Sequence, residues 1–173
     1  MSGDATILVV MGVSGVGKTT LGEALAQRLG WDFIDGDALH PPANIAKMKA
    51  GIALTDADRA PWLDAVAAWI DGQHGKGRPG VVTCSALKRA YRDRLDVGRP
   101  QVRFVYIQLD QADVADRMAK RQGHFFAPSL LASQFADLEP PQADEPVIVL
   151  DGAQPIPAQV EAVAARVRAG AEP

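Results

Sequence analysis

The amino-acid sequence predicts an α/β fold in which a five-stranded parallel sheet carries helices on both faces. One observation is the segment GVSGVGKT at residues 12–19, which lies between the apolar run 6–11 and an amphipathic stretch from Thr20. The other is that apolar, strand-like segments alternate with helix-like segments along the chain. Parallel strands need crossover connections about as long as a helix, so this alternation favours a parallel sheet.

The glycine-rich segment matches the pattern G-x-x-x-x-G-K-[ST] at every fixed position. Its glycines let the backbone turn tightly and point N–H groups inward, at the positive end of the following helix. Lys18 would reach the β- and γ-phosphates of ATP, and the Thr19 hydroxyl would hold Mg²⁺. The predicted ATP-binding residues of this loop are Gly12, Ser14, Gly15, Val16, Gly17, Lys18, Thr19 and Thr20.

The remaining elements follow from apolar runs and from helix start and stop residues. After the first strand, further strands are expected at 31–34, 80–84, 102–109 and 146–150. The first helix should end near residues 28–29, with Gly30 as its stop. Later helices are expected over 42–48, from a Thr55–Asp58 capping box to about 71, then 89–96, 112–121, a short one ending at 138, and 157–168.

Length and composition indicate one soluble globular domain over residues 1–173. The chain has 173 residues, 47% of them hydrophobic and 23% charged. Its net charge of −3 provides no basic field for nucleic acid. The single cysteine, Cys84, fits a reducing compartment, and neither a secretory signal nor a membrane-spanning run of about 20 apolar residues is seen. A cytoplasmic protein without nucleic-acid or membrane partners is expected.

In a parallel sheet the carboxyl ends of the strands share one edge, where ligands bind. This brings the glycine loop close to Asp35 and Asp37, which follow the second strand. In an extended segment both carboxylates would point to the same side, one for Mg²⁺ and one to accept a proton from a substrate hydroxyl. The alternative is an Asp-Gly turn with solvated carboxylates.

Basic residues could supply the positive charge that phosphoryl transfer needs. Arg117 and Arg121 lie four apart on one helix face, before a break at 122–128, as in a mobile lid over a phosphate; a solvated helix face is the alternative. Arg59 is another candidate, and so is a basic group made of Lys88, Arg89 and Arg92.

Histidine and aromatic residues carry weaker signals. The three histidines are too scattered for a zinc site, but His40 and His124 could hydrogen-bond a polyol. Trp62 and Trp69 are expected in the core. The adjacent Phe125 and Phe126 fit a lid that buries them on closure.

Besides the glycine loop, several segments are distinctive: FIDGDALHP at 33–41, NIAKM at 44–48, Gly51, LTDADRAPWL at 54–63, CSALKRAYRD at 84–93, GHFF at 123–126, and Gln134, Phe135 and Leu138. Together they resemble the gluconokinase family of small P-loop kinases, over nearly all of residues 7–138. The DGDALHP and DADRAPWL parts are far more specific than the glycine loop.

The resemblance implies ATP-dependent phosphorylation of D-gluconate to 6-phospho-D-gluconate, strand order 2-3-1-4-5, a small lid at roughly 117–138 and commonly a homodimer. It implies Asp37 as catalytic base and substrate ligand, with Asp35 supporting Mg²⁺. It places Arg59, Lys88 and His124 on the sugar acid and Arg117 and Arg121 towards ATP, with Lys18 and Arg121 sharing the developing charge. It places the segment 152–155, with Gln154 and Pro155, against adenine.

Two other functions remain open at this point. One is a P-loop kinase for another small hydroxy acid, such as shikimate or a different aldonate, and the other is a non-catalytic ATP-binding switch.

The third strand ends in Cys84-Ser85, where many P-loop proteins have a metal-binding aspartate, while Asp110 and Asp151 end other strands.

Overall fold

The centre of the molecule is a five-stranded sheet in the order β2-β3-β1-β4-β5, with every neighbouring pair parallel. The computed structural model describes residues 5–120 and 128–169. The strands are β1 (Ile7–Met11), β2 (Asp32–Asp35), β3 (Gly80–Thr83), β4 (Val102–Gln108) and β5 (Val147–Asp151). The predicted fold class and strand order are confirmed.

Seven α-helices are present in the described residues. They are α1 (Lys18–Leu29), α2 (Pro42–Lys49), α3 (Asp56–Gly75), α4 (Arg89–Asp96), α5 (Gln111–Lys120), α6 (Pro128–Asp137) and α7 (Ile156–Arg168). The Thr55–Asp58 capping box forms as predicted, with both reciprocal hydrogen bonds in place. Helix α3 was expected to end near Asp71 but continues to Gly75, because the glycines here do not force the chain out of helical geometry.

Each face of the sheet has its own apolar core, because successive residues of a strand point to opposite faces. Leu8 and Val10 of β1 pack in the core that includes α1 and α7. Ile7, Val9 and Met11 pack in the core that includes α3 and α4. All five residues of β1 are fully buried, so the strand that leads into the glycine loop is held on both sides.

Arg92 was grouped with Lys88 and Arg89 as a possible source of positive charge for phosphoryl transfer, and for Arg92 this expectation is wrong. Its side chain is 1% exposed and pairs with Glu145, whose side chain is 4% exposed, at 2.6 Å. The guanidinium also donates to the backbone oxygens of Ala86 and Leu87. Arg92 therefore fastens the chain before β5 to the end of β3.

Within residues 5–120 and 128–169, no helix is both long enough and apolar enough to cross a membrane.

Candidate active site

A cavity of about 330 Å³ lies at the carboxyl edge of the sheet. One wall is the glycine loop, with Ser14, Gly15, Gly17, Lys18, Thr19 and Thr20. The opposite wall carries the polar side chains Asp37, His40, Arg59 and Ser85, and α6 contributes Leu130, Ser133 and Gln134. The fold thus brings together residues from four separate parts of the sequence.

The glycine loop adopts backbone conformations that only glycine accepts readily. Gly12, Gly15 and Gly17 have φ values of 144°, 88° and 98°. The Lys18 ammonium donates a 3.0 Å hydrogen bond to the carbonyl oxygen of Val13, across the loop. Loss of hydration lowers the pKa of Lys18, while the negative charge of Asp37 opposes this shift. The lysine is therefore held at the loop, close to a carboxylate on the opposite wall.

Asp35, at the end of β2, is oriented by three donors. Its Oδ2 atom accepts a 3.2 Å hydrogen bond from the Thr19 hydroxyl. Its Oδ1 atom accepts bonds of 2.9 Å from the Thr83 hydroxyl and from the Asp37 backbone N–H. Hydroxyl and carboxylate oxygens are the ligands that Mg²⁺ prefers, and a site shared with nucleotide phosphates needs only one or two of them from the protein. The predicted pair Thr19 and Asp35 thus fits a Mg²⁺ ion chemically.

Thr83 was missed at the sequence level. It ends β3 and lies opposite Asp35 in the register between β2 and β3. Its hydroxyl also accepts a 3.0 Å hydrogen bond from the Gly36 N–H. Both residues end a strand, and this could have suggested that they pair. The pairing depends on β2 and β3 being neighbours in the sheet, however, and the local sequence does not show that.

One expectation assumed that the chain from Asp35 to Asp37 is extended, but it is not. Gly36–Leu39 forms a 3₁₀ turn, and Asp35 caps it by accepting from the Asp37 N–H. The carbonyl oxygen of Gly36 accepts a 2.8 Å bond from the indole of Trp62. The chain therefore follows the alternative of a turn, which places the exposed Asp37 in the cavity wall. Asp35 does not line the cavity and is connected to it through its hydrogen bond with Thr19.

His40 and Trp62 form a stacked pair with ring centroids 4.1 Å apart and planes at 15°. Burial lowers the pKa of His40, so its ring is neutral near pH 7. Its Nδ1 lies 3.2 Å from the Asn44 Nδ2, which can only donate, and this leaves the proton on Nε2. Trp62, expected only as a core residue, also lines the cavity and supports His40.

Arg59 is 6% exposed, and its Nη1 donates to the Tyr91 hydroxyl at 2.8 Å and to Asp137 at 3.1 Å. The Tyr91 hydroxyl in turn donates to Asp56. Lys88 does not line the cavity: its ammonium pairs with Asp56 at 3.0 Å and lies 5.7 Å from the centre of the Tyr91 ring. Of the two cations predicted to bind a sugar acid in the described residues, Arg59 lines the cavity. Lys88 lies outside it, against the ring of Tyr91.

Part of the predicted lid can be placed. Arg117 donates to the carbonyl oxygens of Gly152 at 2.6 Å and Val16 at 3.4 Å, so it links the glycine loop to the chain after β5. Arg121, His124, Phe125 and Phe126 lie outside the described residues.

Gln134 of α6 contributes to the family resemblance, but no role was predicted for it from the sequence. Its Oε1 accepts a 2.7 Å hydrogen bond from the backbone N–H of Ser14 in the glycine loop. A glutamine on a helix carries no local signal of such a contact, because its partner is 120 residues away.

Gln154 and Pro155 do not line the cavity. The backbone N–H of Gln154 donates to Asp151, and its carbonyl oxygen accepts a 2.8 Å bond from Gln159. The segment is joined to the glycine loop through the Arg117–Gly152 contact.

Known proteins that resemble this chain include kinases that act on sugars and sugar acids. The family described as "AAA domain" matches residues 7–141. A gluconokinase from Gluconobacter oxydans is 55% identical over 145 residues, covering 84% of this chain and 82% of the relative. Among solved structures, an unliganded sugar kinase from Janibacter has a TM-score of 0.90 at 46% identity, with 95% of both chains covered. A gluconokinase from Sinorhizobium meliloti has a TM-score of 0.82 at 42% identity, with 98% of both chains covered.

Proposed function

Because this chain belongs to the gluconokinase family, as the sequence resemblance indicated, we propose that it transfers the γ-phosphoryl group of ATP to the primary hydroxyl of D-gluconate. The observation that carries this proposal is a single cavity with a P-loop on one wall and Asp37, His40 and Arg59 on the other. A phosphate cradle facing a carboxylate, an uncharged donor and a buried cation suits an acceptor that is both a polyol and an acid.

Asp37 is the proposed catalytic base. Its exposed carboxylate faces the P-loop wall, where Lys18 is close enough for the two charges to interact. It would orient the primary hydroxyl for in-line attack and accept its proton. Lys18 would share the charge that develops on the transferred group, and Arg121 is proposed to assist it from the lid at 117–138.

Arg59 is the proposed partner of the substrate carboxylate. The Tyr91 hydroxyl, which accepts a 2.8 Å hydrogen bond from Nη1, holds the guanidinium at the cavity wall, where its planar shape suits a carboxylate. The Nε2–H of His40 would donate to a substrate hydroxyl, and His124 is proposed as a further contact to the sugar acid. Lys88, which pairs with Asp56 outside the cavity, would have to leave that ion pair to make such a contact. The neutral state of His40 avoids a second buried charge beside Arg59.

The nucleotide would be held by the P-loop, with Arg117 and the segment carrying Gln154 and Pro155 on its adenine side. Thr19 and Asp35 would hold Mg²⁺, which would neutralise negative charge on the phosphates. We further propose that residues 1–173 act as one kinase domain in a cytoplasmic homodimer, in line with the composition and the family resemblance.

An acceptor panel tests the proposed function. Release of ADP from ATP is measured with D-gluconate, other aldonates, shikimate and nucleoside monophosphates, each at several concentrations. We expect D-gluconate to give the highest kcat/KM, and ³¹P NMR to show the product as a 6-phosphate. A preference for shikimate or a nucleotide would contradict the proposal, as would ATP binding without acceptor-stimulated turnover, which is the behaviour of a switch.

A further inference from the structure

Helix α6 is hydrogen-bonded to a residue on each wall of the cavity. The Ser14 N–H of the P-loop donates to Gln134 at 2.7 Å, and Arg59 donates to Asp137 at 3.1 Å. Gln134 and Asp137 are three residues apart, and residues with this spacing lie on the same face of a helix. One face of a ten-residue helix is therefore attached to both binding walls.

The contact with Ser14 uses an N–H group of the glycine-rich loop, which the sequence predicts to bind the phosphates of ATP. An amide oxygen and a phosphate oxygen compete for the same N–H, and the charged phosphate makes the stronger hydrogen bond. A nucleotide whose phosphate engages Ser14 must therefore displace Gln134. Gln134 thus takes up one N–H group of the predicted phosphate site.

The contact with Arg59 uses the cation that the proposed function assigns to the substrate carboxylate. One guanidinium charge would then be shared between two carboxylates, and the pair with Asp137 would weaken. The side chain of Asp137 is 30% exposed, so it can be rehydrated when it moves away.

The two contacts are mechanically linked by the helix. Leu131 of α6 is 5% exposed in the core, and directly after the helix Glu139 N–H donates to the Leu87 oxygen at 2.7 Å. Gln134 and Asp137 provide the hydrogen bonds from α6 to Ser14 and Arg59, the residues predicted to bind phosphate and the acceptor carboxylate. Loss of either contact lowers the cost of losing the other, because both hold the same rigid segment.

We infer that α6 couples the two substrates: the phosphate of the nucleotide releases Gln134, the carboxylate of the acceptor releases Asp137, and each event makes the other easier. Binding of either substrate then raises the affinity for the other by the same factor, since coupling free energies are reciprocal. The identity of the acceptor rests on the proposed function, whereas the competition at Ser14 does not.

Calorimetry tests the coupling without turnover. A non-hydrolysable ATP analogue with Mg²⁺ is titrated into the protein with and without saturating D-gluconate. In the wild type we expect gluconate to tighten binding of the analogue about two- to ten-fold, the scale of one hydrogen bond. In Gln134→Ala and Gln134→Met the analogue should bind about two- to ten-fold more tightly without gluconate, and gluconate should add little.

Two further variants complete the test. Asp137→Asn should also reduce the effect of gluconate on binding of the analogue, because the ion pair that gluconate weakens is absent. Ser129→Ala changes an exposed residue of the same helix and should keep the wild-type coupling. Circular dichroism confirms that each variant is folded.

Equal coupling in the wild type, Gln134→Met and Asp137→Asn would overturn the inference. If gluconate does not bind the wild type at all, the proposed function fails instead. In that case the analogue alone still decides the role of Gln134, because unchanged affinity in both Gln134 variants would show that it does not compete with phosphate.

Discussion

The Thr83 hydroxyl donates a 2.9 Å hydrogen bond to Asp35 Oδ1, which joins the ends of two neighbouring parallel strands. The same carboxylate accepts from Thr19, the P-loop residue expected to bind Mg²⁺. Thr83 therefore orients Asp35 without lining the cavity itself.

Replacing Thr83 by valine keeps its shape and removes this hydrogen bond. We expect Thr83→Val to lower kcat/KM by about ten-fold and to raise the Mg²⁺ concentration needed for half-maximal activity. Loss of a hydrogen bond that orients a metal-binding side chain typically weakens metal binding to this extent. Steady-state kinetics over a Mg²⁺ series measure both effects. Thr83→Ser restores the hydroxyl and should recover most of the activity. An unchanged Mg²⁺ requirement in Thr83→Val would remove the orienting role.

Asp37→Asn keeps the size and polarity of the side chain but removes the proposed base. We expect turnover to fall by about 10²-fold or more, the usual contribution of a positioned base. Affinity for ATP, measured by calorimetry, should change little because Asp37 lies on the wall opposite the P-loop. Near-normal turnover in this variant would exclude Asp37 as the base.

Gly36 has no room for a side chain. A Cβ atom at this position would lie 1.8 Å from the backbone oxygen of Thr83, so Gly36→Ala must push β2 and β3 apart at their ends. We expect a loss of about 2–4 kcal/mol in the free energy of unfolding, as for other overpacked sites, together with loss of activity. Urea denaturation measures the first effect. Gly72→Ala, where a Cβ meets nothing within 4 Å, is the matched control.

The buried pair of Arg92 and Glu145 predicts a non-additive pair of mutations. Glu145→Leu alone leaves the Arg92 charge buried without its partner and should cost about 3–5 kcal/mol. Arg92→Met together with Glu145→Leu removes both charges and should cost clearly less than the single change. Chemical denaturation of the wild type, both single variants and the double variant gives the coupling energy. Additive losses would show that the pair is not a coupled unit.

Cys84 predicts a pH-dependent stability. Burial raises the pKa of its thiol to about 12, from 9.0 for an unperturbed cysteine. The folded state keeps the proton while the unfolded state loses it, so this contribution is intact below about pH 9 and is lost as the pH rises towards 12. Between pH 9 and 11 the wild type should lose about 2 kcal/mol more than Cys84→Ala.

Denaturation of both proteins at several pH values measures this difference. The native thiol should also resist iodoacetamide at pH 8 until the protein unfolds, since the thiolate is the reactive form. Rapid alkylation of the folded protein would contradict the assigned burial.

Local sequence patterns were sufficient to predict the strands and helices and the presence of a phosphate-binding loop. The P-loop, the Thr55 capping box and the alternation of strands and helices depend on residues close in sequence, where backbone sterics and amphipathic spacing act directly. Asp37, His40 and Arg59 line one cavity, in agreement with the argument that the carboxyl ends of parallel strands share an edge, while their roles in binding and catalysis stay predictions.

The sequence by itself determined the α/β class, the phosphate-binding loop and the family. Only the tertiary structure decided that Asp35 is held by Thr83, that Arg92 is buried against Glu145, and that Gln134 occupies the Ser14 N–H. These are hydrogen bonds between residues 48, 53 and 120 positions apart in the sequence. They depend on strand register and helix packing, which are set by the whole core and leave no periodic mark on the local sequence.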